Sequence, residues 1–241
     1  QEQVMLADVS EAPAPEPVAE SVAEEATPQT DDVPVPAAPT LAPTPAPAAP
    51  GVASGDAPEL RFGAAEAIMV LFAFQNKIRV DQIMDSDTVE ELTNGVSSRR
   101  NQLLMDMSAE LGVPAIDGAA DADVATLREK VSTAAPGYAA FGPVLSEAVG
   151  ARLRQLFGAA GLKPTAVADY VTGTWGLPES WVAHVEAEIL LGSREEDSVR
   201  GGSLSTVPAS ATSKSAAHDL IDAAVQAVAT AHGATVSKGA A

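Results

Sequence analysis

The residues with the most chemical promise lie at 92–104, LTNGVSSRRNQLL. Asn94-Gly95 is a turn pair, Val96 reads as extended, and Ser97 stands where a helix would begin, ahead of Ser98, Arg99 and Arg100. A serine there is read first as an N-cap, its hydroxyl accepting a backbone N–H of the first turn. The arginines call for a second reading. Cations in the first turn face the positive end of the helix dipole, which costs ~0.3–1 kcal/mol each at low salt. A negative group is expected in compensation. A phosphodiester on the Ser97 hydroxyl would meet free N–H groups and flanking guanidiniums together.

Other chemistries find little support. The chain has no cysteine, and its three histidines, His184, His218 and His232, are dispersed, so thiolate sites and a zinc centre are not expected. No nucleophile has a base nearby, no Glu-x-x-His frame occurs, and no glycine-rich phosphate loop is present. A formal charge of -19, from 33 acidic against 14 basic side chains, argues against nucleic acid. His184 reads as a partly buried structural histidine, Trp175 and Trp181 as core anchors, and the EEDSVRGG segment at 195–202 as a solvated loop. No metal site and no active site of the chain's own are expected.

Positioning Ser97 falls to helices. In 63–80 the apolar residues Ile68, Leu71, Phe72 and Ile78 recur at helical spacing, which predicts a helix over about 63–77. A short turn is expected at 86–93, framed by Ser86 and Glu90 with Val89 and Leu92 inward. The helix after Ser97 has Leu104, Met107 and Leu111 as its stripe and Gly112 and Pro114 as its stop. Further helices are predicted at 121–135, 143–157, 164–175, 178–191 and 215–231. Three of these begin at a proline, which suits a first turn. No stretch alternates convincingly with period two, so the fold class is all-α, a bundle of about eight helices.

Residues 1–60 differ in kind. They hold 12 of the 18 prolines, 11 of the 33 acids and no Lys or Arg. Such a stretch cannot bury enough apolar surface to offset its ordering entropy, and it reads as a flexible Ala/Pro-rich linker. Its acidic start lacks the basic and apolar regions of a signal peptide. The longest apolar run, 67–74, is eight residues, short of the ~18 of a membrane span. A cytoplasmic location is expected. The first residue is Gln, as in a segment of a longer polypeptide.

The motif ELTNGVSSRRNQLLMDMSAELG at 91–112 resembles the phosphopantetheine-attachment segment of the acyl carrier domain in type I fatty acid synthases. Leu92, Gly95, Ser97, Asn101, Leu104 and Asp106 match that pattern in register, with Asn94, Val96 and Ser98 departing from it. Residues 63–83, ending KIRVDQI, resemble the family's first helix. Residues 167–197, VADYVTGTWGLPESWVAHVEAEILLGSREED, resemble its later structural helices. The likeness covers about 61–232, and the SSRRNQLL form is similar to a bacterial, mycobacterium- or corynebacterium-like, branch.

The resemblance implies a linker at 1–60, an acyl carrier lobe at 61–135, a structural helical lobe at 136–200, and a loop with a C-terminal helix at 201–241. It implies a 4'-phosphopantetheine arm on Ser97, attached from coenzyme A by a phosphopantetheinyl transferase that itself needs Mg²⁺. Ser98 remains an alternative by spacing alone. Arg99 and Arg100 are the expected docking residues. The implied partners are ketoacyl synthase, acyl or malonyl transferase, ketoreductase, dehydratase and enoylreductase domains of the same complex. The chain would be a carrier with no catalytic site, the linker giving it reach. A polyketide- or mycolate-type carrier, or a proline-tethered helical interaction domain without prosthetic group, remains open at this point.

Overall fold

The apolar stripe of 63–77 folds as helix α1, Ala64–Gln75, in which Ala67, Ile68, Leu71 and Phe72 are completely buried. The Glu66 carboxylate accepts the Gly63 N–H at 2.9 Å and closes the helix start. The computed structural model describes residues 57–239. The rest of the expected linker, 1–56, and the last two residues lie outside the described residues.

Seven more helices follow: α2, Val89–Leu92; α3, Ser97–Leu111; α4, Val124–Ala134; α5, Pro143–Phe157; α6, Ala166–Asp169; α7, Val182–Gly192; and α8, Lys214–Ala231. Among the described residues there is no strand, only two isolated bridges, Thr88 with Asp123 and Asp197 with Ser203. The all-α expectation holds. Helix α1 lies against α3, α4 and α7, α5 against α3 and α7, and α8 against α7. One hydrophobic cluster runs through all of them from Leu60 to Val236, with Trp175 and Trp181 buried in it as anchors.

Several boundaries differ from the sequence reading. Helix α2 starts after Thr88, not Ser86. The Thr88 hydroxyl accepts from the Glu91 N–H at 3.2 Å while the Glu91 carboxylate accepts from the Thr88 N–H at 2.8 Å, a reciprocal box that outcompetes the exposed Ser86. Residues 164–175 form not one helix but α6 followed by a π turn, Tyr170–Thr174, in which the Trp175 N–H reaches back to the Tyr170 carbonyl at 3.1 Å. That wider turn delivers Trp175 to the core, where its indole N–H donates to Asp222 at 2.9 Å. Pro178 precedes a 3₁₀ turn, Glu179–Trp181, that leads into α7. Residues 57–60 are docked: the Trp181 indole donates to the Pro58 carbonyl at 2.8 Å, and Leu60 is buried.

Residues 193–207, which include the 195–202 segment read as a solvated loop, are stitched to the first helices. Arg194 donates to the carbonyls of Ala73 and Ile78, both at 3.0 Å, and so closes the C-terminal end of α1. Arg200 pairs with the buried Asp87 at 2.6 Å, and the Val199 N–H donates to the Lys77 carbonyl at 3.0 Å. Burial opposes ionisation of Asp87, but Arg200 and the Met84 N–H more than offset it and hold this carboxyl below the usual range.

On α7, burial alone raises the Glu186 carboxyl to about 7. The folded state therefore binds this proton more tightly than the unfolded state, and the stability present below about pH 4.5 is lost as pH rises toward 7. Glu186→Gln is expected to raise the melting temperature at pH 8 and to leave it nearly unchanged at pH 4. An equal shift at both pH values would show that burial of the charge is not the cause.

Candidate functional site

Between α2 and α3 the chain reverses within a few residues. Asn94 and Gly95 both take the left-handed conformation, with φ of 52° and 69°, a region open to glycine and tolerated by asparagine. The Gly95 N–H donates to the Glu90 carbonyl at 2.9 Å and the Val96 N–H to the Thr93 carbonyl at 3.1 Å. Thr93 is buried and its hydroxyl donates to the Val89 carbonyl at 2.8 Å. The turn is thus fixed from beneath and opens α3 at a defined angle.

The N-cap of α3 is Val96, so Ser97 is the first helical residue and does not cap. This corrects the cap reading. Val96 is extended, at φ -82° and ψ 104°, and its carbonyl accepts the first intrahelical bond, from the Arg100 N–H at 3.0 Å. The amides of Ser97, Ser98 and Arg99 precede that bond, and no side chain caps them. Ser97 is exposed, and its hydroxyl makes no hydrogen bond among the described residues. At its far end α3 stops as expected, with Gly112 left-handed at φ 63° and the Val113 N–H returning to the Ser108 carbonyl at 3.1 Å.

The two arginines separate. Arg100 pairs with Glu90 on the preceding helix and is half-buried. Arg99 is exposed and makes no hydrogen bond or ion pair among the described residues. Of the two docking candidates, only Arg99 keeps a charge without a partner. The inner stripe of α3 is Leu103, Met107 and Leu111, with Leu104, expected on that stripe, only partly covered.

Two apolar side chains escaped the sequence reading. Val96 is 42% exposed just before Ser97, and Met105 is 66% exposed on the outer face of α3. The only signal for Met105 was its place off the stripe.

His184, expected to be partly buried, is buried. Its ring meets Phe62 at 5.1 Å and His232 at 4.8 Å, edge to face, and Nε2 has no partner. Burial, then the nearby His232, hold its pKa below the usual imidazole range. No group of three or more His, Asp or Glu among the described residues could hold a metal ion. No described helix is long and apolar enough to cross a membrane.

The residues present fit a phosphodiester at Ser97. Three amides of a fifteen-residue helix converge on the first turn without acceptors, beside an uncommitted guanidinium and a free hydroxyl. That combination favours a singly charged anion such as a phosphodiester over a neutral group.

Comparison with known proteins gives one informative similarity. The chain is 29% identical over 126 residues to a fatty acid synthase alpha subunit, pkiB, of Emericella nidulans. The match spans 51% of this chain and 7% of that much longer protein. No family model matches the sequence.

Proposed function

We propose that this chain is the acyl carrier region of a type I fatty acid synthase, with its prosthetic arm attached to Ser97. The observation that carries this reading is the first turn of α3: an exposed serine that caps nothing, amides without acceptors, and Arg99 without a partner. The similarity to a fatty acid synthase alpha subunit supports the same class of complex.

In attachment, the Ser97 oxygen forms the new bond to phosphorus, the pyrophosphate bond of coenzyme A breaks with loss of adenosine 3',5'-bisphosphate, and the serine proton passes to the transferase. Mg²⁺ serves that transferase. The terminal thiol of the arm supplies thioester chemistry, which suits a chain that has no cysteine. The protein's own part is positional. The Asn94-Gly95 turn presents Ser97 outward, the first-turn amides and Arg99 hold the phosphodiester, and Val96 and Met105 offer apolar contact to the condensing, transferring, reducing and dehydrating domains that act on the acyl group. Tethering raises the local concentration of that group at each partner.

The direct test is intact mass of the full chain after incubation with coenzyme A, Mg²⁺ and a broad-specificity transferase. A gain of one arm, mapped to Ser97 by peptide sequencing, is expected. No gain would favour a helical interaction domain instead.

Arg99 and Arg100 give a finer check. Arg99→Glu is expected to slow attachment and weaken its salt dependence without lowering stability, since the helix dipole favours the new charge. Arg100→Glu places like charge beside Glu90, at a solvent-accessible pair with one half-buried member, worth about 1 kcal/mol. Attachment rate against ionic strength, beside melting curves, separates the two. Equal loss of rate in both variants would mean that the free guanidinium has no special part.

A further inference from the structure

A cavity of about 390 Å³ lies between α1, α4, α7 and the end of α8, and no residue of α3 contributes to it. Its size is within the ~300–1,000 Å³ of small-molecule sites. Phe62, Met69, Leu191 and Val228 give it an apolar wall. Set against that wall are three polar side chains, Glu66 on α1 and His184 and Glu188 one turn apart on α7.

His184 is the informative residue. It is 8% exposed, and its ring donates to the Arg61 backbone while Nε2 has no partner. The donating nitrogen is therefore Nδ1, which leaves Nε2 as a bare lone pair. Burial, then His232, hold the ring's pKa low, so at neutral pH Nε2 accepts and does not donate. The two carboxylates are each half used. Glu66 accepts the Gly63 N–H through Oε2, and Glu188 accepts the Thr206 hydroxyl through Oε1, so each keeps its second oxygen uncommitted among the described residues. Arg128 also lines the cavity, but its ion pair is with Asp85 at 3.6 Å and not with either carboxylate. Burial raises the Glu188 carboxyl, a penalty that a cation beside it would offset. No group of three His, Asp or Glu among the described residues could hold a metal ion, so the cation that matches these acceptors is organic.

We propose that this cavity binds a primary ammonium group carried on a short aliphatic stem. Such a group has three N–H donors and no acceptor, which answers the free atoms of His184, Glu66 and Glu188, while its stem lies on the apolar wall. A carboxylate on the same stem would meet two carboxylates of like sign. An alcohol would bring one donor to three acceptors. The ammonium comes either as a free aliphatic amine or as a lysine side chain on a partner's surface, and the formal charge of -19 draws both toward this chain. Because α3 takes no part in the cavity, the proposal stands apart from attachment at Ser97.

The test titrates the full chain at neutral pH and low salt with n-hexylammonium and, separately, with n-hexanoate, followed in ¹⁵N-edited spectra. Hexylammonium is expected to shift the backbone amides of Phe62, Glu66, Glu188 and Val228 saturably and to bind at least about tenfold more tightly than hexanoate. Glu66→Gln, which keeps an acceptor for the Gly63 N–H, and His184→Phe, which keeps a ring in the core, are each expected to weaken hexylammonium by about threefold to tenfold, the worth of one hydrogen bond. If His184→Phe does not fold, Glu66→Gln and Glu188→Gln carry the comparison. A capped alanine peptide with a single lysine separates the sources: shifts at the same residues assign the site to a partner's lysine, and shifts with hexylammonium alone assign it to a free amine. Equal affinity for the two hexyl probes, no saturation by either, shifts away from the cavity, or unchanged affinity in every folded variant would overturn the proposal.

Discussion

Ser97→Ala is expected to abolish arm attachment entirely while changing the melting temperature by less than the measurement error of a degree or so. The first part follows from the proposed attachment, since alanine has no hydroxyl to take the phosphorus. The second follows from the structure, which removes the capping role: an N-cap serine is worth about 0.5–2 kcal/mol, but here Val96 is the cap and the Ser97 side chain makes no capping bond. Intact mass after transferase treatment, beside thermal unfolding by circular dichroism, measures both. Ser98→Ala in parallel resolves the neighbouring hydroxyl. Attachment that survives in Ser97→Ala and disappears in Ser98→Ala would move the site by one residue.

Glu110→Ala is expected to produce the largest loss of stability of any single change in α3. Glu110 is 2% exposed, yet it is fully bonded. Its carboxylate accepts from the Gly142 N–H at 2.6 Å, the Leu145 N–H at 2.7 Å and the Tyr138 hydroxyl at 2.5 Å. In effect the end of α3 caps the start of α5, whose own N-cap residue is a glycine with no side chain to do so. Burial, followed by the Glu110 carboxylate, pushes the Tyr138 hydroxyl above its ordinary range, so it remains a donor at every physiological pH. Removing the carboxylate strands three donors. A loss of about 3–5 kcal/mol is expected, and at ~2–4 °C per kcal/mol for a folded unit of this size the midpoint falls by roughly 6–20 °C. Tyr138→Phe removes the bond to Glu110 and the long one from the Gly142 N–H at 3.4 Å, and is expected to cost about 1–2 kcal/mol. If Glu110→Ala melts within two or three degrees of the parent, α3 and α5 are not coupled through this residue.

The same contact explains why Gly142 is glycine. A Cβ there would stand 1.9 Å from the Glu110 carbonyl oxygen, a backbone atom that cannot swing aside. The helix bearing Ser97 is therefore braced at both ends, by the Thr93 to Val96 turn at its start and by α5 at its finish.

Much of this was legible in the residues because the signals were local. Pro143 at the first turn and the stripe of Leu145, Val149 and Leu153 gave α5 its true bounds, and Gly112 marked the true end of α3. The same locality misled where two neighbours offered equal signals. Ser86 and Thr88 can each start α2, and Leu103 and Leu104 can each face inward; in both cases the choice fell to where the chain had to meet other elements. Val124 N–H bonds to the Asp87 carbonyl at 2.8 Å, which fixes the backbone just ahead of Thr88.

By itself the sequence determined that the described chain would be helical, that a Ser-Ser-Arg-Arg step would open one of the helices, and that none of its own side chains is a thiol. Only the tertiary structure decided which arginine is free, because Glu90 on another helix claims Arg100 and leaves Arg99 alone. It alone turned the charged segment at 195–202 into a brace, through the pairing of Arg200 with Asp87 across more than a hundred residues. Backbone preferences act over three or four residues and leave their mark in local pattern, whereas the pairing of distant charges depends on burial and approach, which no local pattern encodes.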